Sequence, residues 1–243
     1  MSFTKSNNQT ALITGSADRI GKAIALTLSD LGYGIALHYN HSKEAALKTE
    51  NEIQRKGGRC EIFSVDLSNE HKVKTLIPAV LAKMPPLTLL INNASIFEPS
   101  DLTSLDLRNW DRHFEINLKA PYILASAFAQ RCKRGHIINI LDAHITKNKT
   151  SYAAYLLSKK SLHEMTKLFA VALAPKIRVN AIAPGLILPP IGQKANYLDR
   201  LAKQVPLKRK GNVVTITQSV KFLIENDYLT GQVIFADGGE HLI

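Results

Sequence analysis

The sequence predicts an α/β fold, in which a doubly wound, seven-stranded parallel sheet has helices on both faces. Short apolar runs rich in β-branched residues end at turn residues, and longer segments with helical spacing separate them. No repeat or Pro/Gly-rich linker divides the sequence, so we expect a single domain over residues 1–243. The predicted strands are Ala11–Thr14, Gly34–Tyr39, Arg59–Ser64, Leu87–Asn92, His136–Leu141, Arg178–Ala183 and Gln232–Ala236.

The segments between these strands are predicted to be mostly crossover helices. The first helix is expected over Ile20–Leu31, where apolar residues recur at helical spacing, and the second over Lys43–Lys56, with Ser42 as its N-cap. The stretch Pro184–Ala195 has three prolines and two glycines after a predicted strand end. We therefore expect a mobile loop there, beside the crevice in which such sheets bind ligands.

Charge and cysteine content exclude several kinds of site. The chain has 31 Lys plus Arg and 20 Asp plus Glu, a net charge of +11, but the basic residues are spread out and no nucleic-acid motif accompanies them. Cys60 and Cys132 lack metal-ligand or CxxC spacing, so we expect reduced thiols and no metal. The N-terminus lacks a signal-peptide core, and no apolar run approaches the roughly 20 residues of a membrane span. We expect a cytoplasmic protein without a nucleic-acid or membrane partner.

A glycine-containing loop joins the first predicted strand to the first helix. This loop, Thr14–Gly21, reads TGSADRIG. Backbone N–H groups and the helix dipole at such a junction can bind a pyrophosphate. Gly15 would permit the tight turn and Gly21 a close approach, whereas two glycines elsewhere would indicate only an ordinary turn. The placement favours a Rossmann-like dinucleotide site.

The end of the second predicted strand indicates which dinucleotide is bound. A carboxylate commonly stands there, binds the adenosine ribose and repels a 2′-phosphate. Here the run contains no acid and reads His38, Tyr39, Asn40, His41, Ser42 and Lys43. The donors at 40–43, together with Arg19, would surround a phosphate, so the sequence favours NADPH over NADH. The alternative is that this polar run simply begins the second helix.

Tyr155 and Lys159 are the candidate catalytic pair. A four-residue spacing on a helix brings the ammonium of Lys159 towards the phenol of Tyr155. The ordinary pKa of a phenol, about 10, is too high for ready proton donation, and a nearby ammonium would lower it. This spacing is common by chance, so the surrounding motifs must support the assignment.

Further motifs occur at the expected places. They are Asp66 after the third strand, Asn92–Ser95 after the fourth, Asn117 in the next helix, Asn180–Gly185 at the sixth and Phe235–Gly239 at the C-terminus. With the glycine loop and the Tyr155 pair, they resemble the short-chain dehydrogenase/reductase family over almost the full chain. That resemblance implies an adenine contact for Asp66, ribose contacts for Lys159, and a homotetramer built through the helix containing Tyr155 and the helix before it.

Two departures narrow the resemblance. Arg19 stands where many family members have a middle glycine, and Asp142 stands where most have serine. These departures, together with His38-Tyr39 and Asn93–Phe97, resemble the pteridine reductase and dihydromonapterin reductase branch. The resemblance implies that Arg19 and Ser95 contact cofactor phosphate and pterin. The residues expected to bind the cofactor are Gly15, Arg19, Ile20, Gly21, His38, Tyr39, Asn40, His41, Ser42, Asp66, Leu67, Asn93, Ala94, Ser95, Tyr155, Lys159, Pro184 and Gly185.

The same resemblance assigns the remaining roles at the predicted site. The expected substrate contacts are Ser95, Phe97, Asp142 and Tyr155, with Phe97 stacking on the pterin. Asn117 would hold a water for proton relay, and Leu186–Pro190 lacks the hydroxyl residue that commonly contacts the cofactor. Each residue has a structural alternative: a loop hydrophobe for Phe97, a local backbone partner for Asn117 and a loop cap for Asp142.

The leading hypothesis is NADPH-dependent reduction of a pterin or dihydropterin, with hydride from nicotinamide and a proton through Tyr155. One alternative is reduction of another carbonyl compound, a 3-oxoacyl thioester or a small ketone. Asp142 weighs against it, because an ionised carboxylate cannot donate the hydrogen bond that serine can give a carbonyl oxygen. A non-catalytic NADPH-binding regulator is the alternative of another class, and the intact Tyr155 and Lys159 weigh against it.

Overall fold

A computed structural model describes residues 9–103, 106–190, 192 and 196–243 of the chain. It confirms the predicted fold: seven parallel strands form one sheet in the order β3-β2-β1-β4-β5-β6-β7. The strands are β1 (Thr10–Ile13), β2 (Gly34–Tyr39), β3 (Cys60–Ser64), β4 (Leu87–Asn92), β5 (Gly135–Ile140), β6 (Ile177–Pro184) and β7 (Val233–Ala236). Each differs from its predicted range by at most one residue at either end.

Helices connect the strands and cover both faces of the sheet. They are α1 (Arg19–Asp30), α2 (Lys43–Arg55), α3 (Glu70–Lys83), α4 (Leu107–Phe114), α5 (Ala120–Arg131), α6 (Ala153–Leu173), α7 (Tyr197–Ala202) and α8 (Val213–Glu225). A π-helical turn, Glu115–Lys119, joins α4 to α5, and short 3₁₀ helices occupy Ala143–Thr146 and Glu240–Leu242. Among the described residues, no helix is long and apolar enough to cross a membrane.

The strands are buried on both faces, which explains why they are nearly continuous apolar runs. Successive residues of β1 point to opposite sides: Ile13 packs in the cluster beneath α1, α2 and α8, and Leu12 packs in the cluster beneath α3 and α5. Both side chains are fully buried, and each contributes roughly 1.5–3 kcal/mol by leaving water. This core fixes the carboxyl ends of the strands, from which the polar loops extend.

Strand order reverses at β1, which pairs with β2 on one side and with β4 on the other. The connections that leave the carboxyl ends of β1 and β4 therefore diverge to opposite faces and open a crevice between them. The glycine loop follows β1, and the Asn93–Phe97 segment follows β4. The topology thus brings two of the predicted motifs to one edge of the sheet.

Candidate active site

The glycine loop packs closely against the chain that follows β4. Gly15 has φ +63°, and a Cβ there would lie 3.0 Å from Ala94 Cα. A Cβ on Gly21 would lie 2.2 Å from the carbonyl oxygen of Gly15, too close for any side chain. Asn93 joins the two segments, because its Nδ2 donates to the carbonyl oxygens of Thr14 and Gly15 at 2.9 and 3.0 Å. Backbone contacts that exclude side chains therefore define the shape of the loop.

His38 supports this loop from inside the protein. Its Nδ1 accepts a hydrogen bond from Gly15 N–H at 3.0 Å, so Nε2 carries the ring proton and donates to Val65 O at 2.9 Å. Burial lowers the pKa of His38 to about 4, which keeps the ring neutral. Both ring nitrogens already have protein partners, so the predicted cofactor contact of His38 could be made only through its backbone and remains a prediction. Tyr39 is also buried and packs in the core.

The rest of the polar run after β2 lies on the surface. Asn40, His41, Ser42 and Lys43 are exposed, and none of them is acidic. Ser42 stands at the N-cap position of α2, but its side chain makes no capping hydrogen bond. The contact of these four residues with a cofactor phosphate remains a prediction.

Arg19 begins α1 with φ +52° and crosses to another loop. Its Nη2 donates to Pro189 O at 2.7 Å, so the first loop and the loop after β6 are connected through one guanidinium. At the start of α1 the Asp18 side chain makes no capping bond, and the first turn has no acidic residue. An anion would therefore meet a favourable helix terminus there.

Three other predicted cofactor residues use their side chains within the protein. Ile20 packs against the core cluster beneath α1, and Leu67 is buried in the other cluster. Asp66 accepts hydrogen bonds from the backbone N–H and hydroxyl of Ser68, at 2.9 and 2.8 Å, and these bonds lower its pKa. Ile20 and Leu67 can therefore serve a cofactor only through their backbone.

The Pro184–Ala195 stretch is irregular but anchored where it is described. Gly185 N–H donates to Ala236 O at 3.2 Å, and Leu186 O accepts from Gly211 N–H at 3.0 Å. Ile187 is 5% exposed and packs in the core. Residues 191 and 193–195 lie outside the described residues, so the expected mobility of the stretch remains a prediction.

Tyr155 lies at the centre of the second group of predicted residues. It is on α6, is 8% exposed, and donates from its hydroxyl to Asp142 Oδ2 at 2.8 Å. Lys159, one turn later, donates from Nζ to Ile140 O at 2.8 Å and lies 5.9 Å from the centroid of the Tyr155 ring. The three predicted residues, Asp142, Tyr155 and Lys159, thus form one cluster at the end of β5.

The pKa of Tyr155 differs from the sequence-based expectation. Burial first, and then Asp142, raise the pKa of Tyr155 well above its ordinary value, whereas Lys159 was expected to lower it. Burial lowers the pKa of Lys159 to about 8, although Asp142 opposes this. Burial and the neighbouring carboxylate of Asp142 thus both favour the protonated phenol of Tyr155.

Asp142 is held by His144, which the sequence reasoning did not select. Asp142 Oδ1 accepts from the backbone N–H of His144 at 2.7 Å and lies 3.2 Å from His144 Nδ1. Burial alone would raise the pKa of Asp142, but the bonds and charge of His144 outweigh it and the pKa is lowered. Asp142 therefore caps the 3₁₀ helix, which is the structural alternative, and also accepts a hydrogen bond from Tyr155. Its predicted contact with substrate remains a prediction.

Asn117 lies in the π-helical turn and its side chain is fully engaged. Its Oδ1 accepts from Ile96 N–H at 3.0 Å and from Ser95 Oγ at 3.1 Å. Its Nδ2 reaches Ile96 O at 3.2 Å and Ser158 Oγ at 3.1 Å. These contacts match the structural alternative and fix the loop after β4 to α6. The water-holding role remains a prediction.

Aromatic rings line one side of the Tyr155 cluster. Phe97 is 45% exposed and stacks on Tyr152, with centroids 4.2 Å apart and planes at 3°. Its edge contact with the Tyr155 ring has a centroid distance of 4.7 Å and an angle of 81°. Behind it, His113 Nε2 accepts from Glu98 N–H at 3.3 Å. Phe97 therefore presents an aromatic surface beside the Tyr155 ring, with Tyr152 as a partner that the sequence did not indicate. Its stacking on a pterin remains a prediction.

Residues 15–241 match the protein family described as enoyl-(acyl carrier protein) reductase. The chain belongs to the short-chain dehydrogenase/reductase family. Among its relatives is the 3-oxoacyl-(acyl-carrier-protein) reductase FabG of Staphylococcus epidermidis, 32% identical over 97% of this chain and 100% of the relative. The corresponding reductase of Synechocystis is 31% identical over 95% of this chain and 96% of its own length.

Solved structures of this family resemble the chain closely. FolM alternative dihydrofolate reductase 1 from Brucella suis, in complex with NADP, superposes with a TM-score of 0.93 and 38% identity, covering 98% of this chain and 96% of its own. A blue fluorescent protein from a metagenomic library, in complex with NADPH, gives a TM-score of 0.91 at 28% identity, with coverages of 97% and 99%. These likenesses agree with the predicted family and fold.

The family motifs therefore form two neighbouring groups along one edge of the sheet. Gly15, Arg19, Gly21 and the exposed 40–43 run make the first group, and Asp142, Tyr155 and Lys159 make the second. Sequence reasoning missed the supporting side chains, namely His113, His144, Tyr152, Ser158 and Glu240. His144 stands only two residues after Asp142, and that proximity was the one available signal.

Proposed function

We propose that the chain reduces a pterin or dihydropterin, taking hydride from NADPH and a proton through Tyr155. The observation that carries this proposal is the 2.8 Å hydrogen bond from Tyr155 to Asp142 Oδ2. An ionised carboxylate can only accept, so Asp142 cannot donate to a carbonyl oxygen as the serine of most family members can. A ring nitrogen that becomes basic as hydride arrives needs a single donor, and Tyr155 is that donor.

The chain is an NADP-dependent reductase of the short-chain family. The glycine turn, the uncapped start of α1 and the acid-free 40–43 run fit a dinucleotide with a 2′-phosphate. NADPH supplies the hydride when bound. In this proposal Gly15 and Gly21 admit the pyrophosphate, Asn40 and its exposed neighbours bind the 2′-phosphate, and Lys159 binds the ribose. We place the reaction in the cytoplasm, as the sequence leads us to expect.

The aromatic surface at Phe97 supports a flat substrate. Phe97 is 45% exposed, and one of its faces is covered by Tyr152. A planar heterocycle beside it would gain stacking energy of about 0.5–1.5 kcal/mol. The Brucella neighbours are described as alternative dihydrofolate reductases, and dihydrofolate contains a dihydropterin. The exposed face of Phe97 and the likeness to the Brucella structures therefore support the same substrate class.

A 3-oxoacyl thioester is the second candidate substrate. The FabG relatives, at 32% identity over 97% of the chain, favour it. The family description also names an acyl-carrier-protein substrate, but in its enoyl form. Asp142 is the residue that speaks against it, since it fills the place of a donor to the substrate carbonyl. The regulator alternative is weaker, because Tyr155 and Lys159 are both in place.

Steady-state kinetics with a substrate panel tests the proposal. NADPH oxidation would be followed with dihydrofolate, a dihydropterin bearing a short side chain, a 3-oxoacyl thioester and a small ketone. We expect turnover with at least one dihydropterin at a kcat/KM about 100-fold or more above that of the thioester, a difference of about 2.7 kcal/mol in transition-state binding. Preferential reduction of the thioester would reject the pterin assignment, and an absence of turnover on the whole panel would favour the regulator.

We also propose that the chain forms a homotetramer through α6 and the helices before it. An open groove of about 870 Å³ between these elements is lined by Leu118, Tyr122, Leu157 and Leu168. Leu168 is 71% exposed and Val171 on the same helix is 82% exposed, an unusual apolar surface for an isolated subunit. Sedimentation equilibrium should give four times the 26.8 kDa chain mass, and Leu168→Lys should shift it to smaller species. A monomeric parent protein would reject this assembly.

A further inference from the structure

A chain of polar side chains leads away from Tyr155 to the C-terminus. Tyr155 donates to Asp142, and Asp142 Oδ1 lies 3.2 Å from His144 Nδ1. On its other side, His144 Nε2 lies 2.9 Å from Glu240 Oε1. The four groups come from α6, the end of β5, the following 3₁₀ helix and the C-terminal turn. Both nitrogens of His144 therefore face a carboxylate.

This arrangement stabilises a proton on each nitrogen of His144. The hydrogen bond to Asp142 first, and then that to Glu240, raise the pKa of His144 to about 9, against the opposing effects of burial and Lys149. The Glu240 side chain is only 13% exposed, and its Oε2 is buried without a hydrogen-bond partner among the described residues. A buried carboxylate requires compensation, and the His144 imidazolium provides it.

We propose that His144, held in place by Glu240, is a positioning residue that resupplies the Tyr155–Asp142 pair with the proton consumed in each turnover. The inference rests on the proposed role of Tyr155 as proton donor, but not on the identity of the substrate. Its physical basis is that phenolate and carboxylate cannot both be ionised cheaply at hydrogen-bond distance. A proton must reach Asp142 as Tyr155 loses its own.

Protons and charges balance over one turnover of the enzyme. Tyr155 gives its proton to the substrate atom made basic by the hydride from NADPH. The proton on His144 Nδ1 moves to Asp142 Oδ1, so that a neutral carboxyl faces the new phenolate, and rotation of that carboxyl group then brings the proton to Tyr155. His144, left as neutral imidazole, recovers a proton from water, with which its 26% exposed side chain is in contact. One hydride and one solvent proton are added to the substrate.

Other charged and titratable groups lie close to this relay. Lys149 Nζ lies 3.0 Å from His144 Nε2 on the exposed side and opposes its protonation, which eases proton release. From α6, Lys159 is coupled electrostatically to Asp142. In the C-terminal turn, His241 is paired with Asp237 at 2.8 Å.

The first test compares His144→Gln with the parent enzyme, using NADPH and whichever panel substrate the parent reduces. Glutamine keeps a hydrogen-bonding side chain but cannot carry the proton. We expect kcat to fall about 10-fold or more while the KM for NADPH changes little. His163→Gln is the matched control, because His163 lies on α6, pairs with Glu164 at 3.4 Å and is not one of the four residues of the relay. Parental kcat in His144→Gln would overturn the inference.

The pH profile separates a relay from simple support of the fold. The parent should lose activity as pH rises through about 9, where His144 releases its proton, and His144→Gln should lack that step. Lys159, with its pKa lowered to about 8, titrates in both proteins, so the difference between the profiles reports His144. Imidazole in the buffer should restore activity to His144→Ala. Identical profiles, or a variant that imidazole does not rescue, would overturn the relay.

A final arm needs no substrate and so separates this inference from the proposed function. Histidine NMR should show His144 titrating near pH 9, with a lower pKa in Glu240→Gln. A His144 that titrates near its ordinary pKa of 6.5 in the parent protein rejects the inference, whatever the enzyme reduces. If the parent reduces only the thioester, the pterin proposal fails while the comparisons of kcat and pH profile still judge the relay.

Discussion

The two sides of the crevice are built from different kinds of contact. On the nucleotide side, formed by the ends of β1 and β2, side chains brace the backbone: His38 and Asn93 both bond to the peptide groups of Gly15. On the catalytic side, formed by the end of β5 and by α6, side chains bond to one another. Tyr155, Asp142, His144 and Glu240 are joined in series, although up to 98 residues separate them in the chain.

The difference assigns separate physical tasks to the two sides. A braced backbone fixes a shape, so substitutions on the nucleotide side should change folding stability or cofactor affinity. A series of charged side chains fixes protonation states, so substitutions on the catalytic side should change rate and pH dependence. If this partition is correct, substitutions on the two sides will change different measured quantities.

The largest effect is expected from Tyr155→Phe on the catalytic side. The variant keeps the buried ring but removes the proton donor, so kcat should fall by roughly 10²–10⁴-fold. Loss of the hydroxyl also leaves Asp142 Oδ2 without its partner, at a cost of about 1–3 kcal/mol in stability. Stopped-flow turnover and NADPH titration would measure the two quantities. Near-parental kcat would remove Tyr155 from the mechanism, and a lost NADPH affinity would break the partition.

Acid should destabilise the nucleotide side through His38. The pKa of this ring is about 4 in the folded protein against 6.5 in the unfolded chain, so the unfolded state binds more protons below pH 6.5. Its contribution is therefore present above pH 6.5 and is lost as pH falls through about 4, up to about 3 kcal/mol. Urea unfolding at pH 7.5 and 4.5 would measure the loss.

His38→Gln is the control for this effect. A glutamine amide can still accept from Gly15 and donate to Val65, but it does not titrate. The buried His136, whose pKa burial lowers to about 3, remains in both proteins and cancels in the comparison. If the parent and the variant lost the same free energy of unfolding in acid, His38 would not be the cause of that loss.

The fold could be predicted from the sequence because its signals are local. Strands buried on both faces are short apolar runs, and such a run can be recognised without knowing which distant residues pack against it. The strand ends agree within one residue, and the glycines at 15 and 21 are fixed by a turn and by a backbone contact. The sequence did not indicate that neighbouring side chains of the polar run lie in different environments: His38 is buried and bonds within the protein, whereas Asn40 is exposed.

The catalytic side could be predicted only in part. The spacing of Tyr155 and Lys159 is a property of one helix, and Asp142 was found by resemblance. The residues that set their protonation states are distant in the chain. Glu240 lies 96 residues after His144, and the two side chains pair only after the sheet has formed. The sequence therefore indicated a phenol pKa below the ordinary value, whereas burial first, and then Asp142, raise it.

A smaller effect is expected from Asp142→Asn. Asparagine can still accept from the backbone of His144 and so preserve the cap, but it cannot carry the proton between His144 and Tyr155. Dihydropterin turnover should fall roughly 10- to 100-fold, with NADPH affinity unchanged. Asp142→Ser should fall similarly and gain weak ketone reduction. If both variants reduce dihydropterins normally, the carboxylate has no part in the reaction.

The smallest effect, and the one that tests the nucleotide side most directly, is expected from Asn40→Asp. Asn40 is exposed after β2, where no acid opposes a 2′-phosphate. A unit charge about 4 Å from another costs about 1 kcal/mol in water, and a phosphate carries nearly two charges, so the KM for NADPH should rise roughly 5- to 20-fold. NADH lacks that phosphate and should be used as well as before.

Two controls make this experiment specific to charge. Asn40→Ala removes the donor without adding a carboxylate, so it should weaken NADPH less than Asn40→Asp does. Raising ionic strength to about 1 M shortens the screening length to about 3 Å and should shrink the difference between the two variants. If Asn40→Asp left the preference between NADPH and NADH unchanged at low salt, the 2′-phosphate would have to bind away from the 40–43 run. Arg19, which already bonds to Pro189, would then be the remaining predicted phosphate ligand.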